Sequence, residues 1–177
     1  MLLEKWSISI AAKLLRYSPE GRIKIEVIAY AIGVYLNIAA TAALALAFGL
    51  LSGKLGLTLK AMLLFNLTRF FSGGFHFQSL GVCAILSAAL YAALPHLKLS
   101  GFGTTALTLL ALAIFVLKAP AFDHKTTRLP HRLLPWYKAV SLLLVCSNLF
   151  IHSELFAVIL AAQAFTLLPV RKGGVDR

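Results

Sequence analysis

Residues 27 to 51 form one apolar run broken only by Asn37, Thr41 and glycines. It exceeds the roughly 20 residues that cross a hydrocarbon core, so it constrains the chain more than any other segment. The remaining composition agrees, because a chain that is 60% hydrophobic and 13% charged has too little polar surface to close a water-soluble globule. The expected setting is a bilayer, with lipid as the surrounding partner.

Five further segments are expected to be helical and apolar. Leu55 to Phe71 contains Lys60, Asn66 and Arg69, and reads as either crossing or re-entrant. Leu80 to Leu94, Leu99 to Leu117, Ala139 to Ile151 and Leu155 to Leu168 follow, several of them shorter than an ideal span. Ahead of these, residues 1 to 17 place Leu3, Trp6, Ile10, Leu14 and Tyr17 at steps of three and four, with Glu4, Lys5, Lys13 and Arg16 mostly off that stripe. This predicts an amphipathic helix that lies on the membrane surface, on the protein's own helices, or on both. Ser18-Pro19-Glu20-Gly21 ends it. The charges scattered through residues 1 to 26 do not fit a cleaved leader. The expected fold is all-α, a single polytopic membrane domain over residues 1 to 177, with six hydrophobic segments between 27 and 170 and a basic tail from 171 to 177.

Seventeen Lys and Arg against six acids give a net charge of +11. In a membrane protein such an excess marks cytoplasmic loops, and nucleic acid is not an expected partner. With both termini in the cytoplasm, fourteen of the seventeen basic residues fall inside: the stretch up to Lys24, then Arg69, the loop from Lys118 to Lys138, and the tail. Lys54, Lys60 and Lys98 are left outside or within a span. The turn between the second and third segments then faces the cytoplasm.

That turn carries RFFSGGFHFQSLGVC, residues 69 to 83. On one continuous helix His76 and Cys83 would share a face but stand about 10 Å apart along the axis, too far for a hydrogen bond. Gly73-Gly74 argues for a non-helical turn before His76, and Ser79 reads as an N-cap for a helix starting near Leu80. Cys83 then sits in the first turn, at the helix end that favours an anion, with His76 folded back to take its proton. Cys146, within LLLVCSNLF, reads as a small buried hydrophobe. Arg69 is a topology anchor, a snorkelling side chain, or a fixed charge for a substrate carboxylate or an oxyanion. Phe70, Phe71, Phe75 and Phe77 read individually as lipid or core contacts, and as a group they would wall a site against water.

The arginine, glycines, His76 and Cys83 resemble the signature of the accessory gene regulator B (AgrB) family, membrane cysteine endopeptidases of bacteria that process quorum-sensing peptide precursors. The resemblance extends to Lys118-Ala119-Pro120-Ala121-Phe122-Asp123-His124-Lys125, which looks like the family's Ala-Pro-Ala-Asp element and the basic loop after it. Here Phe122 stands before the acid, and Asp123 comes one place later than the family pattern. By position, the resemblance implies that Cys83 is the nucleophile and His76 the general base, with Arg69 and Gly74 required for activity. It implies an AgrD-like pro-peptide substrate, cut on the carboxyl side of its future ring through a thioester on Cys83. An internal Cys or Ser then closes a thiolactone or lactone, and no cofactor is needed. A multi-pass cell-membrane location and a homodimer are also implied, with Ala84 to Ala93 as a small-residue packing face.

Asp123 reads as orienting His76, as binding the leaving segment, or as a solvated loop carboxylate. Lys125, Arg128 and Arg132 satisfy the positive-inside rule and would also attract an acidic precursor tail. No metal is expected, because His76, His124, His131 and Cys83 lack HExxH or paired-cysteine spacing. The alternative to an enzyme is a small membrane exporter or scaffold whose Asn37, Asn66, Asn148 and Gln163 join helices or line a path.

Overall fold

The computed structural model describes residues 2–17, 24–75, 79–122 and 130–168. Among them all regular structure is helical: α1 (Leu2–Tyr17), α2 (Ile25–Leu51), α3 (Leu55–Ser72), α4 (Leu80–Ala93), α5 (Gly101–Lys118), α6 (Leu134–Ile151) and α7 (Glu154–Leu167). Single 3₁₀ turns at Leu94–His96 and His131–Leu133 follow α4 and precede α6. Each segment expected from hydropathy is a helix. The largest boundary difference is at α6, which starts at Leu134 and not near Ala139. Lys138 suggested a boundary there, but Pro135 occupies the first turn, where a missing N–H is harmless, so the helix begins earlier.

Three described helices, α2, α5 and α6, are long and apolar enough to cross a membrane. At 27 residues, α2 is about 40 Å long, more than a hydrocarbon core requires. The helices α4 and α7 are apolar but shorter. Large side chains such as Tyr35, Phe102 and Phe150 point outward from α2, α5 and α6, the arrangement expected of surfaces that meet lipid.

The chain forms two compact units, with the division falling inside α3 between Leu59 and Lys60. In the first, α2 packs on α4 and α1 packs on both. Gly33, Thr41, Ala45 and Gly49 are the buried positions of α2, while Ala84, Ala88 and Tyr91 are those of α4. Small residues at these spacings let helix backbones approach closely. Ala84 and Ala88 are therefore already covered within the chain, and are not open to a partner copy. Helix α1 packs on the protein's own helices, but not through its apolar stripe. Its packing face is Ser7 and Ala11, whereas Trp6, Ile10 and Leu14 remain exposed.

The second unit is built around α7, which packs on α5 and α6. Phe156 to Leu160, Gln163, Ala164 and Leu167 are all buried, so α7 shows no exposed polar stripe. Asn148 ties three elements together. Its Nδ2 donates to Thr108 Oγ1 on α5 at 2.9 Å, and its Oδ1 accepts the Ser153 N–H at 3.1 Å, where Ser153 caps α7. Helix packing accounts for this asparagine.

Candidate functional site

The end of α3 turns sharply after Ser72. The Gly73 N–H closes the last helical bond on the Arg69 carbonyl at 2.9 Å, and Gly73 and Gly74 then take φ of 70° and 132°, which L side chains rarely adopt. Space excludes side chains as well. A Cβ on Gly73 would strike the Ala121 carbonyl, and one on Gly74 would lie 2.6 Å from Thr166 Oγ1.

This turn is held from three directions. The Ala121 N–H donates to the Ser72 carbonyl at 2.8 Å and the Gly74 N–H to the Ala121 carbonyl at 2.9 Å, forming a one-residue parallel bridge. Ala121 follows a cis Ala119-Pro120 bond at the end of α5. From α7, Gln163 Nε2 donates to Ser72 Oγ and to the Gly73 carbonyl, and the Thr166 carbonyl accepts the Phe75 N–H at 2.9 Å. From α3 itself, Arg69 Nη2 donates to the Phe75 carbonyl while its guanidinium lies 5.8 Å from the Phe65 ring centroid. Arg69 thus has a clear local role: it clamps the chain six residues ahead. The Arg69–Gly74 motif and the Ala-Pro-Ala element, some fifty residues apart in sequence, are bonded to each other.

Aromatic rings flank the same turn. Tyr137 of α6 contacts Phe70, Phe71 and Phe122, with centroid separations of 6.0, 5.7 and 5.5 Å. Phe122, the residue that interrupts the expected Ala-Pro-Ala-Asp pattern, therefore packs edge-on against Tyr137 and beside Gly73.

Cys83 belongs to the other compact unit. Its half-buried side chain sits at the start of α4, and its N–H donates to the Ser79 carbonyl at 3.0 Å, the first helical bond. Ser79 does stand at the cap position, but its hydroxyl is not the cap. Glu4 Oε1, from α1, accepts the Leu80 N–H at 2.9 Å and the Ser79 hydroxyl at 3.4 Å. Cys146 lies half-buried within α6.

His76, Asp123, Lys125 and Arg128 lie outside the described residues, as do Phe77 and His124. Arg132 is exposed on the 3₁₀ turn before α6. Cys83 is described in one unit, and Arg69 with Gly74 in the other. Gln163 has in the sequence only the general reading of a polar residue that joins helices or lines a path, and Thr166 has none, because both sit in an apolar helix without a local polar pattern to mark their partners. Glu4 did leave a signal, since Glu4, Ser7 and Ala11 recur at steps of three and four on a face complementary to the apolar stripe.

These features define a helical membrane protein whose glycine turn is braced by distant segments. The chain belongs to the accessory gene regulator B (AgrB) family, whose profile matches residues 7–168. That family is associated with processing of agr quorum-sensing peptides. No curated protein and no solved structure matches the sequence.

Proposed function

We propose that the chain is a multi-pass membrane cysteine endopeptidase that cuts a signalling pro-peptide and promotes its cyclisation. Family membership supplies the process. The observation that supports the chemistry is that α4 starts at Leu80 with Ser79 outside it, because no single helix then runs from His76 to Cys83 and holds them apart. A nucleophile in the first turn of a helix and a base in the segment before it are compatible with proton exchange between them.

In this mechanism His76 accepts the Cys83 proton as the sulfur attacks the scissile carbonyl of the precursor. Collapse of the tetrahedral adduct breaks the C–N bond, and His76 returns the proton to the leaving amine. The amino-terminal fragment remains as a thioester on Cys83. An internal Cys or Ser of that fragment attacks the thioester, its proton passing through His76 to the departing Cys83 thiolate, and the ring closes as a thiolactone or lactone. The energy of the peptide bond is carried in the thioester, so no ATP or cofactor enters. The tethered nucleophile outcompetes water through its effective concentration.

Arg69 and Gly74 support the reaction by shaping the chain that leads into His76. Lys125, Arg128 and Arg132 attract the acidic carboxyl-terminal part of the precursor, and Asp123 orients His76 or binds the leaving segment. The charge distribution supports a site at the cytoplasmic face of the cell membrane, with both termini inside.

Co-expression with the short precursor tests the assignment. Cys83→Ala and His76→Ala should each abolish the cut product, and wild type should yield a hydroxylamine-sensitive adduct on Cys83. Product released by both variants would instead favour an exporter or scaffold.

A further inference from the structure

We infer that Glu4 is a positioning residue for Cys83, a role that rests on the peptidase reading above. Its carboxylate starts in the first turn of one helix and caps another. A helix start leaves its first N–H groups without partners inside the helix, and here the Leu80 N–H is taken by an acid 76 positions earlier in the chain. The Ser79 hydroxyl donates to the same oxygen. An anionic acceptor also suits the positive end of the α4 dipole. Because the Ser79 carbonyl accepts the Cys83 N–H, a single turn of backbone separates the carboxylate's contacts from the cysteine.

The cap rests on a fixed base. Ser7 and Ala11 are buried on the same face of α1, and the Ser7 hydroxyl bonds the Glu4 carbonyl at 2.8 Å. Gly33 of α2 lies against both neighbours of the contact: a Cβ there would come within 3.0 Å of Leu80 Cδ1 and 3.7 Å of Ser7 Cβ. Three helices therefore meet at close range around the start of α4. Gly81 follows immediately and weakens that first turn on its own, which makes an external cap more consequential.

A nucleophile displaced by about 1 Å loses on the order of a hundredfold in rate, so an unfixed helix start shows in chemistry before binding. The test uses the full-length protein in nanodiscs, in a Cys146→Ser background, with its precursor peptide. Two quantities are read: kcat and KM for cleavage, and the rate of Cys83 alkylation by iodoacetamide without peptide. Glu4→Ala should lower kcat about tenfold to a hundredfold with KM unchanged, and should alter the alkylation rate. Glu4→Gln, whose amide oxygen accepts the same two hydrogen bonds, should stay near wild type in both. Wild-type kcat and alkylation in Glu4→Ala, or Glu4→Gln as slow as Glu4→Ala, overturns the role. Should Glu4→Ala fail to accumulate, Glu4→Asp, one methylene short of the Leu80 N–H, must show the kcat loss, and a wild-type kcat there overturns it equally. Cys83→Ala separates the two readings: product from that variant refutes the peptidase assignment, whereas an inactive Cys83→Ala beside a fully active Glu4→Ala refutes Glu4 alone.

Discussion

Gln163 holds Gly73: its Nε2 lies 2.7 Å from the Gly73 carbonyl, across 90 residues of sequence and fully buried. The same nitrogen reaches Ser72 Oγ at 2.9 Å. The turn ahead of His76 is thus secured in part from α7, beside the bonds it takes from Ala121 and Arg69. Gln163→Leu keeps the volume but leaves the Gly73 carbonyl without this donor, which costs about 1–3 kcal/mol. Thermal unfolding in nanodiscs should register that loss, together with slower cleavage. An unchanged midpoint would show that the bond contributes nothing.

Gly74 is expected to tolerate no side chain, for two separable reasons. Its φ of 132° is strained for any L residue, and a Cβ would sit 2.6 Å from Thr166 Oγ1. Gly74→Ala should therefore destabilise by the strain term of about 1–3 kcal/mol plus the clash. Adding Thr166→Ala removes the clash, along with the Thr166 hydroxyl's bond to the Gln163 carbonyl, so measured against Thr166→Ala alone the double variant should show only the backbone part of the loss. No loss relative to Thr166→Ala would mean that the backbone is not strained at this position.

How far these contacts were legible beforehand follows from their range. The helices were readable because hydropathy and periodicity are local, and so was the break, because two adjacent glycines after an apolar segment mark it. In the sequence Glu4 is one of several charges off the apolar stripe of α1. The stripe drew attention to Trp6, Ile10 and Leu14, which turn outward, while the small face of Ser7 and Ala11 makes the protein contact. Gln163 had only a generic reading as a helix-joining polar residue, since its partners are set by packing between distant segments. The two motifs that resemble the AgrB family were found separately, and their pairing through Ala121 required the fold.

Asn148 offers a contrast, because its bonds lie entirely among α5, α6 and the cap of α7. Asn148→Ala leaves the Ser153 N–H without its side-chain acceptor and Thr108 Oγ1 without its donor, at a cost of about 1–3 kcal/mol. The unfolding midpoint should fall, while kcat measured well below that midpoint should stay at the wild-type value. A selective loss of kcat with no change in stability would instead tie this asparagine to the reaction.

The membrane orientation rests on charge and can be measured directly. Fourteen of the seventeen basic residues fall on one side when both termini are cytoplasmic, and the positive-inside rule favours that proposed arrangement. Lys98 and Arg132 are both exposed and lie on opposite sides in this topology, before α5 and before α6. In a Cys83→Ser, Cys146→Ser background, Lys98→Cys should react with a membrane-impermeant maleimide on intact cells. Arg132→Cys should react only after the cells are opened. The reverse pattern would put the glycine turn outside the cell, where a cytoplasmic precursor never meets Cys83.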